Sequence, residues 1–172
     1  DVPRSAARPL RYLDRYVTVQ QGEVFYMTEL LAQIEGLERG PAGNISLAAA
    51  FSLAQEMNND DILVVQETEY TGAGKHIIPQ LNFAKQNGIK IEVGDPINEI
   101  PGKTIILPES PSKLSVNNRD LNEYRKSYIY NSLKKVKGDY IEQTDLDFLC
   151  KETRLTTDEV MKILKENNFD VR

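Results

Sequence analysis

The chain has no tryptophan, one cysteine and one histidine in 172 residues. A single thiol excludes a disulfide framework and fits a reducing compartment, the cytoplasm. One histidine and one cysteine exclude a zinc cluster or a Cys-His couple built from this chain alone. No apolar run approaches the roughly 18 residues of a membrane-spanning helix. The first residues, Asp1-Val-Pro-Arg-Ser5, have neither a signal peptide's hydrophobic block nor an initiator methionine, and the start reads as a cut into a longer protein. Positive charge is short as well: 21 Lys and Arg against 26 Asp and Glu give a net charge of -5. The basic footprint of a nucleic-acid binder is missing.

What is present is an α/β pattern followed by charged helical sequence. Arg4, Arg8, Arg11 and Arg15 lie in a start broken by Pro3 and Pro9, read as a surface loop that could also grip a carboxylate or phosphate. A short strand is predicted over 16–20. Val24, Met27, Leu31 and Ile34 then recur at helical steps and predict one core-facing stripe, ended by Gly36. Asn44 stands where an N-cap is expected, ahead of an alanine-rich helix over 45–55. Ile62-Leu-Val-Val65 is a continuous apolar run of the kind buried on both faces of a parallel sheet. A helix over 77–86 and strands over 89–93 and 104–107 follow, the strands extending the sheet at its edge.

Pro108 to Ser112 reads as a turn-rich linker. Beyond it, residues 117–172 hold 11 basic and 11 acidic side chains, against 10 and 15 in residues 1–116. Three helices are predicted there, over about 120–135, 144–152 and 157–167, the last opened by the capping box Thr156 to Glu159. Cys150 falls in an apolar-periodic stretch, where a thiol acts as a small hydrophobe.

The candidate site is the loop from Glu67 to Lys75. Thr71-Gly-Ala-Gly-Lys75 invites a phosphate-loop reading, but the full pattern needs Gly where Glu69 stands and Ser or Thr where His76 stands. Position speaks more strongly than composition, since open α/β sheets bind ligands at the carboxyl ends of their strands. Thr68, one residue past the predicted strand, would carry a hydroxyl into that crevice. His76 reads as a helix-start or surface residue. Gly40-Pro-Ala-Gly43 either aims amides at an anion or forms only a tight turn.

The series Glu35-Gly-Leu37, Gly40-Pro-Ala-Gly43, Ser46-Leu-Ala48, apolar strand and Thr-containing loop resembles the carboxyl half of pyridoxal-phosphate enzymes of the threonine synthase and tryptophan synthase β type. Asp14-Arg-Tyr-Val-Thr18, Gln21-Gly-Glu-Val-Phe25, Val65 to His76 and Ile105 to Pro111 look like the β subunits of 2-amino-4-ketopentanoate thiolase, a resemblance that runs into Asp145 to Thr153. It implies a fold type II open sheet with flanking helices, its carboxyl-terminal part at residues 1–112 and a small helical satellite at residues 113–172.

The implied reaction is cleavage of 2-amino-4-oxopentanoate by coenzyme A to acetyl-CoA and alanine, in ornithine degradation, by an oligomer that includes a thiolase α subunit. Pyridoxal phosphate would serve as electron sink. Thr68 matches the position whose hydroxyl meets the pyridine nitrogen, Thr71 is the second choice, and Gly72 lies in the same loop wall. Two departures stand out: the Ser-x-Lys motif and separate phosphate loop are not in this chain, and Gly40 stands where threonine synthase relatives place Glu. The resemblance therefore implies no catalytic residue here and an inactive isolated chain. Rival readings are an ammonia-lyase relative acting on serine or threonine and a non-catalytic partner-binding module.

Overall fold

The computed structural model describes Val2, residues 10–67 and residues 76–172. The chain is mixed helix and strand. It forms two compact units: Val17–Asn117, and Asp1–Tyr16 together with Asn118–Arg172. Strands β1 (Tyr16–Thr18) and β4 (Asn117–Arg119) lie at the chain's passages between them.

The unit Val17–Asn117 is organised around α1 (Gln21–Glu35), beside α2 (Asn44–Ala54), α3 (Ile77–Gln86), β2 (Lys90–Gly94) and β3 (Thr104–Pro108). β2 and β3 run parallel, pairing Ile91 with Ile105 and Val93 with Leu107. Ile91, Ile105 and Leu107 share one face of this ribbon. There they pack with Phe25 of α1 and Ile77, Leu81 and Ala84 of α3. The other flank of α1 places Val24 and Met27 against Ala48 of α2 and Leu114. α1 thus contributes to two small cores. Its buried face is Val24, Phe25, Met27 and Thr28; the predicted stripe ends early, because Ile34 is exposed in the last turn.

The start of α1 explains how close the layers come. A Cβ on Gly22 would stand 1.9 Å from the carbonyl oxygen of Ile106, so only a residue without a side chain lets the helix reach β3. Glu99, in the connection from β2 to β3, accepts the N–H groups of Gln21 at 2.9 Å, Gly22 at 3.0 Å and Ile106 at 2.9 Å. Glu23 accepts from Gln20 N–H at 2.6 Å and Ser115 N–H at 2.7 Å. Negative charge at a helix amino end is favoured by the peptide dipoles and satisfies amides that lack intrahelical partners. Even so, burial outweighs these hydrogen bonds and pushes the Glu23 carboxyl up, with the neighbouring Glu99 adding to the rise.

The other unit is a small helical core of α4 (Leu121–Leu133), α5 (Gln143–Thr153) and α6 (Thr157–Glu166). A parallel two-residue pair, β5 (Tyr140–Ile141) with β6 (Asp170–Val171), closes it. Ile129, Leu149, Val160 and Leu164 are fully buried. The predicted capping box is formed: Thr156 N–H donates to Glu159 at 2.8 Å and Glu159 N–H to Thr156 Oγ1 at 3.3 Å. Arg154 ends α5 in the left-handed region at φ 57, where glycine is usual, and its guanidinium pairs with Asp14 at 2.8 Å.

Three expectations are corrected. The amino-terminal stretch is not only a surface loop: Val2 and Leu10 are buried in the helical unit's core. Val2 N–H donates to buried Asp145, and Arg11 pairs with Glu152 at 2.7 Å. Asn44 is not an N-cap but the first residue of α2, with its side chain turned inward. Residues 61–67 form no strand. Ile62 and Val64 are 88% and 87% exposed and Leu63 is 40% exposed. A run apolar on both faces is buried only between neighbouring strands and covering layers, and among the described residues none pairs with it.

Substituting Gly22→Ala is expected to destabilise the unit by on the order of 3 kcal/mol, because backbone must move. Gly36→Ala, at φ 65 with no atom within 4 Å of the added carbon, is expected to cost only about 1 kcal/mol. Denaturant melts of the two variants check the ordering. The raised Glu23 carboxyl has a definite sign: the folded state binds a proton more tightly than the unfolded, so stability falls as pH rises from about 4.5 through the raised value. The wild-type minus Glu23→Gln stability difference should carry that slope, and a flat difference would contradict it.

Candidate functional site

The predicted site residues Thr68, Thr71 and Gly72 lie outside the described residues, as does Lys75. Its approach is described. Ser46, in the first turn of α2, donates its hydroxyl to the carbonyl of Gln66 at 2.8 Å. Burial pushes the Glu67 carboxyl up, while the Arg39 charge pulls it down. His76 is exposed at the start of α3, where its backbone is extended, as expected of a helix-start residue.

Below this approach lies a buried polar group that sequence inspection misread. The Gly40-Pro-Ala-Gly43 segment forms a turn in which Asn44 N–H donates to Gly40 and Pro41 carbonyls at 3.3 and 3.1 Å. The Asn44 side chain is then fully buried. Its amide nitrogen donates to Thr28 Oγ1 at 3.1 Å and to the carbonyls of Gly40 at 3.2 Å and Arg39 at 3.4 Å. Thr28 in turn donates to Val24 O at 2.8 Å. All these partners are acceptors toward Asn44, which fixes its nitrogen on that side. Among the described residues no donor meets Asn44 Oδ1. The only sequence signal was an amide-bearing residue after a glycine turn, and that also describes a cap.

A second feature of the same unit is a cavity of about 660 Å³, lined by Phe25, Phe83, Ala84 and Ile105, with Gln80 and Asn87 at its polar edge. Glu99 also borders it, but its carboxylate is occupied by three backbone amides. Thr104 Oγ1 accepts from Ile100 N–H at 2.7 Å. Among the described residues the lining holds no lysine, arginine, histidine or cysteine.

Elsewhere, burial pushes the Cys150 thiol up, which removes thiolate character and agrees with a packing role. Arg11 and Arg15 are engaged within the helical unit, the latter donating to Asn118 at 2.7 Å. Among the described residues no group of three or more His, Cys, Asp or Glu could hold a metal ion, and no helix is long and apolar enough to cross a membrane.

A pyridoxal-type cofactor requires a covalent lysine anchor, a phosphate cradle and a partner for its ring. The described residues meet none of these demands: Asn44 is fully buried and the Ser46 hydroxyl is engaged by the Gln66 carbonyl. The carboxylates Glu23, Glu67 and Glu99 are unsuited to a phosphate.

The chain is similar to two curated proteins, each named 2-amino-4-ketopentanoate thiolase beta subunit. One, from Acetoanaerobium sticklandii, is 61% identical over 166 residues, and the other, from an unknown prokaryotic organism, is 57% identical over 166. In both cases the match covers 96% of this chain and 35% of the relative, so the chain spans about a third of the length of the relatives it matches. No protein-family model and no solved structure matches it.

Replacing Asn44 by Ala removes the side-chain amide that donates to Thr28 Oγ1 and to the Gly40 and Arg39 carbonyls, and should destabilise the unit by about 2 kcal/mol. Thermal melts should show that loss; an unchanged midpoint would mean that the amide contributes nothing net.

Proposed function

We propose that this chain is part of the β subunit of a 2-amino-4-ketopentanoate thiolase, which cleaves 2-amino-4-oxopentanoate with coenzyme A to acetyl-CoA and alanine. The observation that carries the reading is identity of 61% and 57% along nearly all of the chain to relatives bearing that name. The fold would be a portion of a tryptophan synthase β-like open sheet carried by Val17–Asn117, with Asp1–Tyr16 and Asn118–Arg172 as the helical part. The partner is the thiolase α subunit and the setting is ornithine degradation in the cytoplasm.

Pyridoxal phosphate, when bound, supplies an electron sink for the carbon–carbon cleavage. The chain's own contribution is a wall. Thr68, with Thr71 as the alternative and Gly72 beside it, meets the ring through a neutral hydroxyl, which offers a hydrogen bond without holding a charge. Ser46 braces the segment that leads there through the Gln66 carbonyl. The lysine that anchors the cofactor and the phosphate loop are supplied from outside these 172 residues, so the isolated chain is inactive.

Two experiments test this. The 172-residue chain incubated with pyridoxal phosphate and borohydride should take up no stoichiometric label on any one lysine; labelling of a single site would overturn the wall-only role. A chimera of the Acetoanaerobium relative carrying this chain in place of its matched residues, assayed with the α subunit, should form acetyl-CoA. Thr68→Ala in that chimera should lower kcat by roughly 10- to 100-fold, the scale of losing a hydrogen bond to a charged or reacting group. Keto-acid release from threonine without coenzyme A would support the ammonia-lyase reading instead.

A further inference from the structure

We infer that a groove between α4 and the end of α6 binds the adenosine phosphate end of coenzyme A, an assignment that rests on the proposed activity for the ligand's identity. The chemistry of the ligand comes from the groove alone. Residues 117–137 hold six basic and two acidic side chains, whereas residues 138–172 hold five basic and nine acidic. The balanced charge of this stretch therefore hides a basic helix, α4, with Tyr124, Tyr128 and Tyr130 interleaved among its cations. α6 stops at Asn167, Asn168 takes the left-handed region at φ 58, and Phe169 N–H donates back to Leu164 O at 3.0 Å. This stop returns Phe169 to the core of the helical unit. The result is a cavity of about 620 Å³ lined by buried Leu133, by Phe169 and Tyr130, and by exposed Lys126 and Lys134. That size suits a small molecule.

Lys126 and Lys134 stand about 12 Å apart by helical rise, with Tyr130 midway between them. Two such cations address anions at both ends of a molecule and leave room for a ring between. Lys134 Nζ lies 3.5 Å from Asn131 Oδ1, a contact that does not neutralise its charge. Glu123 also lines the groove, and Glu166 accepts from the Tyr130 hydroxyl at 3.5 Å. Carboxylates repel a bare anion but accept from a ligand that also carries donors, as ribose hydroxyls and the adenine amine do. Adenosine 3′,5′-bisphosphate meets every one of these conditions. It has a phosphate on each side of the ribose for the two lysines, a flat ring for Phe169 and Tyr130, and donors for Glu123. Coenzyme A carries that group. A long polyanion such as RNA fits less well, because the nine acidic residues of 138–172 belong to the same unit.

Calorimetric titration of the 172-residue chain is the test. Coenzyme A and adenosine 3′,5′-bisphosphate should each bind at one site, and inorganic phosphate and pantetheine should not bind. Dephospho-coenzyme A, which lacks the 3′-phosphate, should bind at least 10-fold more weakly. Coenzyme A should lose at least 10-fold in affinity for Lys126→Gln and for Lys134→Gln, with melting unchanged because both side chains are exposed. Lys162→Gln, an exposed cation of α6 outside the groove, should bind as the wild type does. In the chimera described above, the two groove variants should raise the KM for coenzyme A at least 10-fold. No binding by the wild-type chain, an equal loss with Lys162→Gln, or an unchanged KM in an active chimera would overturn the site and leave the activity standing. Tighter binding of ATP than of coenzyme A would overturn the assignment in favour of a free nucleotide. A chimera that forms no acetyl-CoA yet binds coenzyme A through Lys126 and Lys134 would sink the proposed activity and leave the site standing.

Discussion

Two carboxylates meet at the first turn of α1, Glu23 from the helix itself and Glu99 from the connection between β2 and β3, and hold the unit Val17–Asn117 in register. Between them, Glu99 and Glu23 accept backbone N–H groups from Gln20, Gln21, Gly22, Ile106 and Ser115. These amides belong to a helix start, a strand and the segment after it, so one cluster fixes three pieces of chain against each other. The helix start offers donors with no partner of their own and a favourable dipole; the carboxylates fill that need from inside. Gly22 is the geometric condition for the arrangement, since any side chain would occupy the space of the Ile106 carbonyl.

The two units meet their needs differently. The helical unit covers its apolar residues itself, with Ile129, Leu149, Val160 and Leu164 fully buried and Val2 and Leu10 filling its core. The unit around α1 has two smaller cores and leaves Ile62, Val64, Ile78 and Phe83 exposed. Among the described residues, nothing pairs with the apolar run Ile62–Val65.

Helices were the most legible elements, because their signals are local. The Thr156–Glu159 box, Gly36 as a left-handed stop and the 3.6-residue spacing of α5 and α6 each depend on a few neighbouring residues. β2 and β3 were legible as short apolar runs between glycines and prolines, though not their mutual parallel pairing. The candidate loop was legible only as a position after Ile62–Val65. The buried roles of Glu23, Glu99 and Asn44 were not legible, since each depends on partners up to 92 residues away.

The sequence by itself therefore determined the class of the chain: mixed helix and strand, a charge-balanced helical tail, and a resemblance strong enough to name the relatives it matches. Only the tertiary structure decided which polar residues go inside, that the amino-terminal segment belongs with the carboxyl-terminal helices, and that Ile62–Val65 stands uncovered. The physical reason is range. Periodicity and capping are written within one or two turns, whereas burial is a property of what else occupies the surrounding space, and no single stretch of chain specifies that.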